Sequence, residues 1–307
     1  MDRYHPSRDQ VAVADSLRES LASILPLSRL RETHEESSSS WNALSELGVF
    51  GISLSEDRGG SGLGLADEAL IVIELGRRVV TPSVLATVGA APMRRTSGRV
   101  AAGYRRGHRI VFVDDSGAEQ LLVRSASGAQ LFDLPKVSRL VDQTLWSCRL
   151  LEVVGPTECL AETDPAQALR LRLLDAAALA GLAQAALAMA VEYAGLREQF
   201  GRPIGSFQAI KHHCTNMALA SRLASDQVSF AAIALDDRRD DAILQVESAL
   251  YIAGRAAIDN ASTNIQIHGG MGFSDEADPH RLLKRSRLLV EIAGGLEAAI
   301  TCLGAAP

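Results

Sequence analysis

The sequence predicts a mainly α protein in three parts, and three observations carry that prediction. Alanine and leucine dominate a hydrophobic fraction of 47%, whereas aromatic residues make up 4%. That mix favours closely packed helices over a large sheet. Apolar residues recur at helical spacing near both ends of the chain and give way to short strand-like runs in the middle. Connections between the last helical stretches are short, which means antiparallel packing. The parts are an N-terminal helical domain over residues 1–105, a short β domain over 106–160 and a helical bundle over 161–307.

The first helix spans Asp9 to Leu25, with Val11, Val13, Leu17, Leu21, Ile24 and Leu25 on one face and Pro26 as its stop. Ser40 can cap a second, ending at Gly48. A glycine-rich loop from Ser55 to Gly64 follows, and Ala66 to Arg78 resumes the helical pattern. The glycine run lacks the preceding strand and βαβ context of a dinucleotide fingerprint, so it reads as a connecting loop.

Arg109–Val113, Leu121–Ser125, Ala129–Leu134 and Cys148–Val154 read as strands of a four- or five-stranded sheet, with Asp114–Gly117 fitting a hairpin turn. Thr163 or Asp164 then caps a helix that begins at Pro165 and reaches about Arg197. Further helices are expected over about 206–235, 240–268, 278–287 and 288–303.

With 31 basic and 37 acidic residues the net charge is −6, against a general nucleic-acid binder. Cys148, Cys159, Cys214 and Cys302 are far apart, so no zinc site and no disulfide framework is expected. His212-His213-Cys214 are adjacent on a helix, about 100° apart, and cannot easily share one ion. The charged start (Asp2, Arg3) shows no secretory leader, and Asp175, Glu192 and Arg197 interrupt the most apolar run. A cytoplasmic protein without a membrane span is the expectation.

Two segments stand out. One is Glu192-Tyr-Ala-Gly-Leu-Arg197-Glu-Gln-Phe200-Gly201-Arg-Pro203-Ile-Gly205-Ser-Phe-Gln208; the other is Asn264-Ile-Gln266-Ile-His268-Gly269-Gly270-Met-Gly272-Phe273. Each is a helix end followed by glycine turns. An arginine there can meet a diphosphate, and the glycines let a ligand or a neighbouring chain approach closely.

These segments resemble signatures of the acyl-CoA dehydrogenase family, "Y…R..FG.pi..fQ" and "Q..GG.G", and Glu56–Leu63 resembles its N-terminal "E..GG.G" turn. The resemblance spans the whole chain. It implies an N-terminal helical domain, a central β domain and a C-terminal four-helix bundle. It also implies FAD, an acyl-CoA substrate, α,β-dehydrogenation of the thioester and an electron-transfer flavoprotein as acceptor. In this family FAD lies at a subunit interface, and the matching residues reach the flavin held mainly by the neighbouring subunit. Those are Arg197, Phe200, Gln208 and Gln266, with Ile267 and Gly270 giving backbone contacts; Glu297 matches a family variant.

The departures are as informative. One family branch takes its catalytic glutamate from a position that here holds Ala293, another from a position that holds Leu171. Neither side chain accepts a proton. Asp175 and Glu291 are nearby acids, read as structural. The β domain is shortened and lacks the family's flavin-packing "TEp..GSD" segment, and Gly295 replaces a threonine hydroxyl.

The resemblance therefore implies a non-catalytic subunit that lends FAD contacts to a homologous full-length partner. Some actinobacterial enzymes of steroid side-chain degradation resemble this as α2β2 assemblies. Two alternatives stay open: a homo-oligomeric enzyme with a relocated base, and a non-enzymatic acyl-CoA-binding or scaffold relative.

Overall fold

A capping box starts the first helix. Ser7 Oγ accepts from the Gln10 backbone N–H at 3.2 Å, and Gln10 Oε1 accepts from Ser7 N at 2.9 Å, so two otherwise orphaned donors are satisfied. The helices of this region are α1 (Arg8–Ile24), α2 (Ser38–Glu46), α3 (Leu65–Arg77) and α4 (Pro82–Ala90). The computed structural model describes residues 5–32, 35–94, 98–113, 115–142, 148–155 and 157–304; Asp2, Arg3 and Asp114 lie outside them. The cap of α2 is Ser37, whose Oγ accepts from Ser40 N at 3.1 Å, and not Ser40 itself. Gly48, at φ 74°, closes that helix as expected. α4 has no amphipathic signal because nearly all its residues are buried.

The sheet has seven strands: β1 (Arg99–Arg106), β2 (Arg109–Val113), β3 (Ala118–Ser125), β4 (Gly128–Asp133), β5 (Ser138–Asp142), β6 (Leu150–Val153) and β7 (Cys159–Glu162). They lie in the order β5-β6-β2-β1-β3-β4-β7, and only β1 and β3 pair in parallel. The expected hairpin between β2 and β3 is therefore absent, because β1 sits between those strands. β1, β5 and β7 exceed the four or five strands expected; Arg-Val-Ala-Ala-Gly-Tyr-Arg-Arg has weak strand propensity, and pairing with β2 and β3 overrides it. Alternation sorts the residues. Val100, Ala102, Leu122 and Leu131 face the main core, and Ala101, Leu121, Val123 and Phe132 form a second cluster on the other face.

α5 (Pro165–Leu196) starts on a second capping box, Asp164 with Gln167, and runs 32 residues, about 48 Å. It carries the most apolar stretch, and 72% of that stretch is buried inside the chain, which makes it the core helix. α3 crosses it very closely. A Cβ on Gly181 would lie 2.1 Å from Ile73 O, and one on Gly76 would lie 2.2 Å from Ala178 O. Only glycine at both positions permits this approach.

α6 (Gln208–Asp236), α7 (Ala242–His268) and α8 (Pro279–Ile292) complete a bundle around α5, and α9 (Glu297–Gly304) packs on α7. The break expected at residue 287 is instead at Gly294 and Gly295, whose φ values of 91° and 82° leave the helical region.

Candidate functional site

α5 ends at Arg197, whose backbone N–H still donates to Tyr193 O at 2.8 Å while its own dihedrals are extended. A tiny hairpin follows, β8 (Glu198–Gln199) against β9 (Arg202–Pro203). Its two-residue tip, Phe200 and Gly201, has φ 54° and 76°, the signs of a type I′ turn. Glycine takes that conformation without penalty; for phenylalanine it costs about 1–2 kcal/mol. The Phe200 ring is nonetheless 92% exposed, so little burial offsets the strain. It meets Phe207 edge-on at 6.1 Å, and the Arg202 guanidinium lies 4.3 Å over the Phe207 ring. Arg197 and Gln208 are exposed at the two ends of the connection from α5 to α6, and Arg197 has no ion-pair partner among the described residues.

At the end of α7, Gln266 faces solvent while Ile267 and His268 are buried. Gly269 turns the chain at φ 61° and ψ −139°, open only to glycine, and the space beside Gly270 is free. His268 stacks on Tyr193 with centroids 3.9 Å apart, so this helix end sits beside that of α5. Its Nδ1 lies 2.9 Å from Asn264 O, a carbonyl that only accepts, which fixes the proton on Nδ1. Burial lowers the His268 pKa, and the Asn264 carbonyl offsets this in part. Six of the seven expected cofactor residues thus gather around two adjoining helix ends. Glu297 stands apart: its neighbour Leu296 packs on Gly254, about 18 Å back along α7 from Gln266.

The two positions at which the resemblance places a base are core. Leu171 and Ala293 are each 1% exposed. Asp175, one turn past Leu171, is held by Arg124 of β3 through contacts of 3.2 and 2.5 Å. Burial pushes its carboxyl above the ordinary range, and the Arg124 guanidinium pulls it back. Glu291 points to solvent. Both acids are thus placed as structural or surface groups.

Two more buried pairs leave α5: Arg170 with Glu68 of α3, and Arg172 with Glu247 of α7. Arg172 also donates to the Ala293 carbonyl at 3.2 Å. Arg170 and Arg172 escaped the sequence reading, although charges inside an apolar helix signal buried partners. The Tyr193–His268 contact was likewise missed.

Among the described residues, the surface here offers the Arg197 guanidinium, the exposed carboxamides of Gln208 and Gln266, glycine backbone and the projecting Phe200 ring. This donor-rich set fits the diphosphate and planar ring of FAD.

Comparison with known proteins gives concordant matches. A family model described as acyl-CoA dehydrogenase, C-terminal domain, covers residues 167–305, and one described as acyl-CoA dehydrogenase, N-terminal domain, covers 7–96. Acyl-CoA dehydrogenase IpdE2 of Mycobacterium tuberculosis is 31% identical over 268 residues, spanning 80% of this chain and 79% of that protein. Acyl-CoA dehydrogenase FadE34 of the same organism is 30% identical over 82% of this chain, which spans only 40% of that longer relative. Among solved structures, the Tcur3481-Tcur3483 steroid ACAD superposes with a TM-score of 0.76 at 22% identity, covering 96% of both chains. The ChsE4-ChsE5 complex from Mycobacterium tuberculosis gives a TM-score of 0.75 at 20% identity, over 99% of this chain and 100% of that one. At these identities the structural likeness establishes the fold.

Proposed function

The chain belongs to the acyl-CoA dehydrogenase family, and we propose that within it the chain is a non-catalytic subunit lending FAD contacts to a homologous full-length partner. The observation that carries this reading is Phe200, held at φ 54° and 92% exposed. A strained, solvent-facing aromatic persists where a bound group or neighbouring chain uses it. Arg197 beside it supplies a fork for a diphosphate, and Gln208 and Gln266 supply amide donors.

The second support is the chemistry of the two base positions. A general base must come within about 3 Å of the proton it removes. Leu171 and Ala293 cannot do this, and Asp175 is committed to Arg124. When bound, FAD supplies hydride acceptance for α,β-dehydrogenation of an acyl-CoA thioester. In this reading the present chain binds and orients that group, and the partner's own carboxylate moves the proton. Two structural neighbours bear two-chain names and one is called a steroid ACAD; this supports a heteromeric assembly, which in this reading is α2β2 and acts on a steroid-type acyl chain.

The test is flavin content. The full chain purified alone should be colourless, and co-expression with a full-length homologue should give a yellow complex with one FAD per pair. Stoichiometric FAD on the chain alone would overturn the reading.

A further inference from the structure

The three ion pairs of α5 are not alike. Those of Arg170 and Arg172 carry extra backbone contacts to Val88, Gly89 and Ala293. The Arg124–Asp175 pair stands among apolar side chains, Leu85 and Ala86 of α4, Leu122 of β3 and Ile292 of α8, around a void of about 10 Å³. That is at most the space of one water. Arg124 Nε is buried there with no hydrogen-bond partner among the described residues.

Its location is what matters. Asp175 is one turn from Leu171, and Ile292 adjoins Ala293, so the lining of the void comes within one helical turn of both positions where the resemblance places a general base. A base at either position would reach a thioester α-carbon only if the acyl group lay in this seam. The Leu171 side is shut as well: α4 rests on it so closely that a Cβ on Gly89 would lie 2.7 Å from Leu171 Cδ2.

We infer that the Arg124–Asp175 pair plugs the place an acyl chain would occupy in this subunit, so that each pair of subunits seats one acyl-CoA, in the partner. The inference rests on the subunit reading above and deepens it. Stability does not demand such a pair, since apolar residues of similar volume are often as good or better at a buried site. An entering acyl chain, however, would have to separate two buried charges and leave both beside hydrocarbon. The pair therefore excludes substrate by volume and by the charge it would strand.

The experiment compares dissociation constants for CoA and octanoyl-CoA on the full chain, with no partner and no flavin present. The ratio of the two reads the contribution of the acyl group alone. For the wild type it should be near 1. For Arg124→Met/Asp175→Leu, which fills the same volume without charge, it should also be near 1. For Arg124→Ala/Asp175→Ala, which opens the seam, it should rise at least tenfold. A tenfold ratio in the wild type or in the filled variant overturns the plug, as does a folded double-alanine variant with a ratio near 1. If the double-alanine variant fails to fold, the wild type and the filled variant still decide the matter. Failure of the subunit reading shows instead in flavin content with the partner, a separate measurement.

Discussion

Tyr193 and His268 stack nearly parallel, 3.9 Å between centroids and 20° between planes, and this contact fastens the α5 turn to the α7 turn. The fastening depends on protonation, because burial favours the neutral imidazole. As pH falls, the unfolded chain takes up the proton first. The stabilisation is therefore fully present above about pH 6.5 and declines as pH falls below it, toward the lower folded-state pKa. His280 is lowered in the same direction and contributes its own share. His268→Phe keeps the stack and removes the titration. Its loss of melting temperature between about pH 7.5 and about pH 5.5 should be smaller than the wild type's; an equal loss would show that His268 is not the sensor.

Arg197→Ala should weaken FAD retention in the complex by about 10- to 150-fold, the worth of one charge-assisted contact. Arg197→Lys should recover part of that, because an ammonium lacks the planar fork. Stability of the chain alone should move by less than about 0.5 kcal/mol, since the residue is exposed. Denaturant titration and flavin spectra on the same proteins give both numbers.

Phe200→Asn separates stability from function. Asparagine tolerates positive φ, so relieving the strain should stabilise the isolated chain by about 1 kcal/mol. The same change should loosen FAD in the complex, because the projecting ring is gone. A variant that is both less stable and fully flavin-retaining would show that Phe200 serves the fold.

Glu247→Ala strands a buried arginine and should cost about 3–5 kcal/mol. Asp259→Ala, which breaks the exposed pair with Arg255, should cost less than about 1 kcal/mol. Urea unfolding of the two variants gives the contrast directly.

Most of the helical architecture was legible because its signals are local. Thr163 or Asp164 with Pro165 announces the start of α5, and the apolar period carries the bundle. The central strands were legible only where they are Val- and Leu-rich. β1 holds alanine, glycine and arginine, and is a strand because β2 and β3 pair with it. That is a non-local fact, as is the insertion of β1 between two strands that follow it. Of the candidate site, the residues on the two turns were readable as motifs. Their adjacency was not, since it depends on Tyr193 meeting His268, 75 positions further along the chain. The partner of Asp175 was hidden for the same reason: strand register decides that Arg124 faces α5.

The three ion-paired charges of α5 have a consequence for how the molecule comes apart. Arg170, Arg172 and Asp175 find their counter-charges on α3, α7 and β3, three regions that composition sets apart. Pulling any region away bares an unmatched charge on the helix the others share. Melting should therefore be a single event, and a fragment cut at residue 161 should behave as an incomplete jigsaw with its centre piece exposed. Such interlocking ties the shape of the chain to one helix: the helix that carries Leu171 also holds the edges together.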